Sequence, residues 1–262
     1  MLATRNLKLE TFKMLGLYVH IPFCARQCPY CDFAIHVGAR VEFVAEYLAM
    51  LRRELESTLS THTSRQPERA VTSIFCGGGT PTTVSTQELA GLLRLIGDHV
   101  EVAPDAEISI EANPDGLGEA KLEALRAAGW NRLSLGAQSF DDEALKFLGR
   151  THGADEIASV FAAARRAGFE NISLDLIFAV PGQSRASWQA TLQRAGALEP
   201  QHVSCYALTI EEGTPFARRV QRSRLDVVAD EAQVDLMHDA EEMLRSMNLL
   251  RYEVSNYAQP GW

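Results

Sequence analysis

Residues 20–33, HIPFCARQCPYCDF, place three of the five cysteines of the chain within eight positions. These are Cys24, Cys28 and Cys31, whose spacing would put three small apolar side chains on one face of a buried helix. Pro29 argues against that interpretation, because a proline between the second and third cysteines would break an intrahelical hydrogen bond. The stretch is therefore predicted to be a loop, and three thiols in one loop indicate a metal site.

The composition narrows the class of protein. The chain has 262 residues, of which 46% are hydrophobic, enough for a sizeable core. Its 34 acidic and 25 basic residues give a net charge of −9, which opposes binding to nucleic acid. Residues 1–16 contain no continuous apolar segment of the kind found in export signals. An odd number of cysteines in a chain of this size favours reduced thiols, so we expect a cytoplasmic protein.

The hydrophobic pattern outside the cysteine stretch alternates between strands and helices. Short apolar runs predict strands at residues 17–21, 73–76, 107–111, 132–135, 172–178 and 202–208. Apolar stripes at helical spacing predict helices at residues 41–59, 86–98, 118–128, 154–167 and 187–197. Such alternation predicts a parallel sheet, because parallel neighbours need a crossover helix between them. The pattern leaves open whether the sheet curls into an incomplete barrel or lies open.

Two kinds of metal site are compatible with three clustered thiols. A zinc site needs a fourth ligand, for which His20, Asp32 and His36 are the nearby candidates. Zinc sites usually pair two half-sites far apart in sequence, and the chain has no second Cys-x-x-Cys motif or His pair. An iron–sulfur cluster also uses closely spaced thiolates, commonly four. Three thiolates on a four-iron cluster would leave one iron open for chemistry.

The string CARQCPYC has the CxxxCxxC spacing of radical S-adenosylmethionine (SAM) proteins, and LYVHIPFC before it resembles their oxygen-independent coproporphyrinogen III oxidase-like branch. Further resemblance lies in FCGGGTPT (75–82), SIEANPD (109–115), LSLGAQSF (133–140), LGRTH (148–152), LDLIFAVPGQ (174–183) and YALTIEEGTPF (206–216). The resemblance implies an α/β fold, an incomplete (β/α)6 TIM-like barrel of the radical SAM type with the start of a C-terminal extension. We expect a leader at residues 1–16, the partial barrel at 17–215 and the extension from 216 to 262.

The same resemblance implies the cofactors and their ligands. A [4Fe–4S] cluster would be bound by Cys24, Cys28 and Cys31, and its electron would cleave a carbon–sulfur bond of SAM. The positions that match cofactor-contacting residues of the family are Tyr18, Tyr30, Gly78, Gly79, Thr80, Glu111, Gln138, Arg150, Asp175 and Ala207. Among these residues, Asp175 is the strongest indication of a functional role, because burying an acid within an apolar strand costs free energy unless the acid is hydrogen-bonded. His20 adjoins the cluster and is expected in its surroundings.

One departure from the pattern favours a subfamily. The oxidases carry a further cysteine two residues after the third, and this chain has Phe33 there. The strings CPYCDF, EEGTPFARR and RYEVSNYAQPG instead resemble HemW-type haem chaperones. The resemblance implies haem binding and transfer, with haem or porphyrinogen, an electron donor and haemoprotein acceptors at the membrane as partners. Coproporphyrinogen oxidation and a structural zinc site stay as alternatives.

The sequence also leads to expectations about three further residues, Ala179, Cys76 and Cys205. Ala179 stands where the family usually has glycine, in a stretch where backbone freedom matters. Cys76 and Cys205 fall within apolar strands and are predicted to be buried residues rather than ligands. HemW-type proteins continue beyond the position of Trp262 with a segment linked to haem binding, so the haem site is expected to be incomplete in these 262 residues.

Overall fold

The computed structural model describes residues 14–65 and 70–262. Most of the expected N-terminal leader lies outside the described residues, and residues 14–16 belong to the first strand. The strands are β1 Met14–Ile21, β2 Phe23–Cys24, β3 His36–Val37, β4 Ala70–Gly78, β5 Val102–Ala112, β6 Arg132–Gln138, β7 Asn171–Phe178, β8 His202–Ala207, β9 Leu250–Arg251 and β10 Asn256–Ala258. All six predicted strands are present.

The predicted helices are present as well, with ends shifted by a few residues. The helices are α1 Val41–Arg65, α2 Thr86–His99, α3 Glu119–Ala127, α4 Asp142–Phe147, α5 Ala154–Arg166, α6 Arg185–Ala197, α7 Pro215–Gln221 and α8 Asp230–Ser246. Local chemistry explains several of their limits: the Ser85 hydroxyl accepts the Glu88 backbone N–H at the start of α2. Gly129 and Gly168 adopt positive φ just beyond α3 and α5, as helix-ending glycines do. No helix in the described portion of the chain has the length and apolar character needed to cross a membrane.

The main sheet has eight strands in the order β1-β4-β5-β6-β7-β8-β10-β9. Its first six strands are parallel and follow chain order, each joined to the next by a helical crossover. This is the arrangement expected of six βα units in a partial barrel, and the predicted fold class is confirmed. Strands β10 and β9 extend the sheet in antiparallel fashion beyond β8, so the segment after residue 215 continues the same sheet.

The two faces of the sheet differ in polarity. On β6 and β7, Leu133, Leu135 and Leu174 are fully buried within the apolar core on the side of the helices. The alternate residues on the same strands, such as Ser134 and Asp175, line a cavity on the inner face. The strands are thus enclosed on both sides, but only the helix-facing side is apolar. A polar inner face indicates a site that holds a polar ligand.

Candidate cofactor site

A cavity of about 650 Å³ lies at the inner face of the sheet and reaches the loops that follow the carboxyl ends of its parallel strands. Ligand sites of parallel sheets form at this end. The cavity collects nearly all the residues that the sequence singled out, from all six βα units of the sheet. They are Cys24, Cys28, Cys31, Tyr30, Gly78, Gly79, Thr80, Glu111, Gln138, Arg150, Asp175 and Ala207.

The cysteine stretch is a loop, as the prolines predicted. Its ends are held together by the parallel pairing of β2 with β3, supported by a hydrogen bond from the His36 N–H to the Pro22 carbonyl at 2.7 Å. Between them, the Cys31 N–H donates to the Cys28 carbonyl at 3.1 Å and closes a tight turn. The loop also docks on α7, where the Phe216 N–H donates to the Pro29 carbonyl at 3.0 Å. These contacts place three thiols from a short segment on one wall of the cavity.

The glycines at the end of β4 are required by close backbone approach. Gly78 has φ +116°, and a Cβ there would stand 2.5 Å from the His20 ring. A Cβ at Gly79 would stand 2.7 Å from the Pro22 carbonyl carbon, because the Gly79 N–H donates to the Ile21 carbonyl at 2.8 Å. The glycine run therefore lets β4 and the start of the cysteine loop meet at the cavity.

Each of the three sulfur atoms has a hydrogen-bond donor beside it. Arg150 Nη1 donates to Cys28 Sγ at 3.3 Å, and Thr80 Oγ1 lies 3.6 Å from Cys24 Sγ. Burial raises the pKa of Cys24 and Cys31, and the Thr80 hydroxyl and Phe33 backbone N–H respectively oppose this rise. Hydrogen bonds of this kind stabilise thiolates, the form in which cysteine binds metal. This donor set fits the iron–sulfur cluster implied by the resemblance.

A site for one metal ion, such as zinc, needs a different arrangement of ligands. Within residues 14–65 and 70–262, no group of three or more His, Cys, Asp or Glu side chains is arranged to hold a single metal ion. Of the candidate fourth ligands for zinc, Asp32 lines the cavity and His36 lies in β3. The third, His20, already uses both ring nitrogens, on the Ala34 carbonyl at 3.0 Å and the Tyr18 hydroxyl at 2.9 Å.

Two carboxyl groups face the cavity below the cysteine loop. Glu111 Oε2 accepts the Gly78 N–H at 3.0 Å. Burial, together with the nearby charge of Asp175, raises the pKa of Glu111 to about 7. Asp175 accepts the Ser134 hydroxyl at 3.1–3.2 Å, and its pKa is also raised by burial. The hydrogen bond that an acid in an apolar strand requires is therefore provided by the neighbouring strand.

Tyr18 is the predicted residue that does not line the cavity. Its hydroxyl donates to His20 Nδ1, and its ring stacks on Phe75 with centroids 6.2 Å apart. Because Phe75 forms part of the cavity wall, the half-exposed ring of Tyr18 lies next to that wall without being part of it. Ala179, which stands where the family usually has glycine, adopts a backbone conformation that favours glycine, with φ +58°.

Several residues that line the cavity were missed by sequence reasoning. Asn113 donates to Thr80 Oγ1 at 3.0 Å and accepts from Arg150 Nη2. Arg132, the first residue of β6, and Tyr252 also line the cavity. Asn113 stands inside the SIEANPD motif, which is the sequence signal that could have pointed to it. Arg132 shares a strand face with the inward-facing Ser134, so the alternation along β6 could have pointed to Arg132. Tyr252 carries no such signal, because only the β9–β10 hairpin brings it there.

Comparisons with known proteins agree with this geometry. The Radical SAM superfamily model matches residues 18–195. The "Heme chaperone HemW" of Bacillus subtilis is 37% identical over 249 residues, which cover 95% of this chain and 64% of that protein. The protein of the same name from Escherichia coli K12 is 36% identical with the same coverage. The chain thus spans slightly less than two thirds of the length of these relatives.

A solved structure supports the fold over nearly the whole chain. Coproporphyrinogen III oxidase (HemN) from Escherichia coli, described as a radical SAM enzyme, has a TM-score of 0.80 and 28% sequence identity. The match covers 95% of this chain and 56% of that one. A family model that matches most of the chain, the cysteine loop and the fold lead to one conclusion: the protein belongs to the radical SAM superfamily.

Proposed function

We propose that the protein is a haem chaperone, which binds haem and transfers it to haemoproteins. In this proposal residues 17–215 form the cofactor-binding unit and residues 216–262 begin a C-terminal region. The proposal is supported by relatives named heme chaperone at 35–37% identity over 93–95% of this chain. The coproporphyrinogen III oxidase HemN is less similar in sequence, at 28% identity.

The choice between haem chaperone and oxidase rests on the presence of phenylalanine at position 33. This side chain is 66% exposed and forms part of the cavity wall next to the cysteine loop. Oxidases of the resembling branch carry a cysteine at this position, and a phenyl ring supplies neither a thiolate nor an exchangeable proton. The second candidate function, oxidation of coproporphyrinogen III, is kept because the overall fold is that of HemN with a TM-score of 0.80.

We infer that Cys24, Cys28 and Cys31 bind a [4Fe–4S] cluster and that the other predicted cavity residues contact SAM. When bound and reduced, this cluster supplies the electron that cleaves a carbon–sulfur bond of SAM. The glycines at 78 and 79 allow close approach of the backbone. Glu111 is suited to hold or release a proton near neutral pH, because its pKa is about 7. Arg150 brings a positive charge beside the thiolates.

The proposed setting is the cytoplasm, with haemoprotein acceptors that include proteins at the membrane. An electron donor for the cluster is a further proposed partner. A net charge of −9 supports a protein that does not bind nucleic acid. Haem itself is the proposed cargo, with a porphyrinogen in the alternative function.

The test uses the 262-residue chain, reconstituted anaerobically with iron and sulfide. We expect an electron paramagnetic resonance signal of a reduced four-iron cluster that changes on addition of SAM and is absent from Cys28→Ala. Cys76→Ala is the matched control, because Cys76 is a fully buried cysteine of β4 outside the cavity wall. Zinc in place of iron in the wild-type protein would overturn the cofactor assignment.

Haem titration and porphyrinogen turnover then separate the two functions. Stoichiometric haem binding, followed by transfer to an apo-haemoprotein, would support the chaperone. Anaerobic, SAM-dependent decarboxylation of coproporphyrinogen III would contradict it and favour the oxidase. The same assays on Phe33→Cys show whether that side chain decides between the two reactions.

A further inference from the structure

Two of the three cysteines are joined by a continuous path of side-chain contacts. Arg150 Nη1 donates to Cys28 Sγ at 3.3 Å, and Arg150 Nη2 donates to Asn113 Oδ1. Asn113 Nδ2 donates to Thr80 Oγ1 at 3.0 Å, and Thr80 Oγ1 lies 3.6 Å from Cys24 Sγ. The path therefore begins at one sulfur and ends at another.

The chemistry of the groups fixes the direction of every hydrogen bond on this path. A guanidinium only donates, so the atom of Asn113 that faces Arg150 is the amide oxygen. The amide nitrogen of Asn113 then faces Thr80 and must donate, which uses the hydroxyl oxygen of Thr80 as an acceptor. Because Thr80 Oγ1 accepts from Asn113, its own hydroxyl proton is free to be donated to Cys24 Sγ, which is the other atom that Thr80 Oγ1 contacts.

The backbone holds the members of this path in place. Thr80 is 8% exposed, and its N–H donates to the Phe23 carbonyl at 2.8 Å. Arg150 Nη2 also donates to the Gly136 carbonyl at 3.2 Å. A Cβ at Gly136 would stand 3.0 Å from Asn113 Oδ1, so the amide is closely packed on that side. Rotation of the Asn113 amide would therefore break contacts on both of its ends.

We propose that Asn113 is a positioning residue that directs the Thr80 hydroxyl proton onto Cys24 and thereby raises the reduction potential of the bound cluster. The proposal rests on the proposed function, because it takes Cys24 and Cys28 as cluster ligands. Hydrogen bonds to the sulfur atoms of an iron–sulfur cluster are among the factors that set its potential. They favour the reduced state, whose sulfurs carry more negative charge.

The substitution Asn113→Asp tests the direction of the path. An aspartate of nearly the same size still accepts from Arg150, and with a charge-assisted bond, so the arginine stays anchored. An ionised aspartate cannot donate to Thr80, and the Thr80 hydroxyl donates to the carboxylate instead. Cys24 then loses its donor. We expect the midpoint potential of the reconstituted cluster to fall.

The added negative charge lowers the potential as well, and a double-mutant cycle separates this effect from the loss of the hydrogen bond. In the Thr80→Val background there is no hydroxyl to redirect, so Asn113→Asp acts through its charge alone. We expect a larger fall in potential when Thr80 is present than in the Thr80→Val background. Equal shifts in the two backgrounds would overturn the proposal.

A second pair of variants leaves Asn113 intact and covers the case in which Asn113→Asp does not fold. Thr80→Ser keeps the hydroxyl, whereas Thr80→Val removes it with little change in volume. We expect Thr80→Val to lower the midpoint potential and Thr80→Ser to leave it near the wild-type value. Equal midpoint potentials for Thr80→Ser and Thr80→Val would contradict this inference but leave the cofactor assignment intact. A wild-type chain that takes up no cluster overturns the cofactor assignment, and the inference falls with it.

Discussion

The ring of Pro29 lies directly against the backbone of Gly149, where a Cβ would stand 2.7 Å from Pro29 Cδ. Pro29 separates the second and third cysteines, and Gly149 belongs to the turn that follows α4. Arg26 of the same loop reaches the Gly149 carbonyl at 3.5 Å. The position of the thiols therefore depends on a residue without a side chain more than 100 positions away in the chain.

We expect Gly149→Ala to lower both the stability of the protein and its capacity to take up iron. Gly149 has φ +72°, so alanine there costs about 1–2 kcal/mol, and the contact with Pro29 adds to this cost. Gly182→Ala is the matched control, because Gly182 has φ +85° and open space around its Cβ position. Chemical denaturation and iron content per chain measure the difference. An equal loss in both variants would show that the Pro29 contact is unimportant.

Gly79→Ala is expected to displace the start of the cysteine loop. Its Cβ would meet backbone atoms of Pro22 and Phe23 at 2.7–2.8 Å, and the backbone cannot rotate out of the way as a side chain can. We expect a loss of about 1–3 kcal/mol, typical of overpacking. Gly97→Ala, at an exposed site of α2 with open space, should instead stabilise the protein by about 0.5–1 kcal/mol. Urea unfolding of both variants tests the prediction, and similar effects of the same sign would contradict it.

Glu111 should make the stability of the protein depend on pH in a defined direction. Its pKa is about 7 in the folded protein against an ordinary value of 4.5, so between these values the folded state binds more protons than the unfolded state. Stability contributed by this group therefore falls as pH rises from 4.5 to 7. We expect Glu111→Gln to be more stable than the wild type by about 1–3 kcal/mol at pH 8, with the difference vanishing near pH 4.

The measurement is the free energy of unfolding of both proteins across this pH range. Glu123→Gln, on the exposed side of α3, is the control and should change stability by less than about 0.5 kcal/mol. A difference between Glu111→Gln and the wild type that stays constant with pH would contradict the raised pKa.

Asp115 should act in the opposite direction. The His152 ring, whose Nδ1 lies 3.6 Å from Asp115 Oδ1, and the Thr151 hydroxyl, which donates to Asp115 Oδ2 at 3.0 Å, lower the pKa of Asp115 to about 2. Its contribution to stability is therefore present above pH 3.8 and is lost as pH falls through 2. Its carboxyl is 38% exposed, so we expect Asp115→Asn to cost less than about 1 kcal/mol at pH 7 and clearly less at pH 2. Asp155→Asn, which removes a fully exposed carboxylate paired with Arg194, should have no measurable effect. Thermal unfolding at both pH values distinguishes the two variants.

Local sequence determined much of the fold. Alternating apolar runs and helical stripes are local signals, so the six parallel strands and the crossover helices between them were predictable. Their ends were less so: β5 begins at Val102, five residues before its apolar run, because pairing with β4 extends the strand. The prolines of the cysteine stretch similarly predicted a loop, since proline removes a helical hydrogen bond wherever it stands.

The residues of the site also divide into those that the sequence revealed and those that only the structure revealed. The thiols, the glycines and Asp175 were found from the sequence because each breaks a local pattern or completes a motif. Asn113 was not, because its importance lies in two contacts, with Thr80 and Arg150, that are 33 and 37 residues away. Tyr18, by contrast, matched a motif and yet stacks beside Phe75 rather than lining the cavity.

The sequence by itself therefore determined the elements, their order and the chemical types of the ligands, because these follow from periodicity and from residue chemistry over short distances. Only the tertiary structure decided which inward-facing side chains meet and in which direction their hydrogen bonds run. Hydrogen bonds act over about 3 Å between groups of fixed donor or acceptor character, so their pattern is set by how strands and loops from distant parts of the chain are brought together.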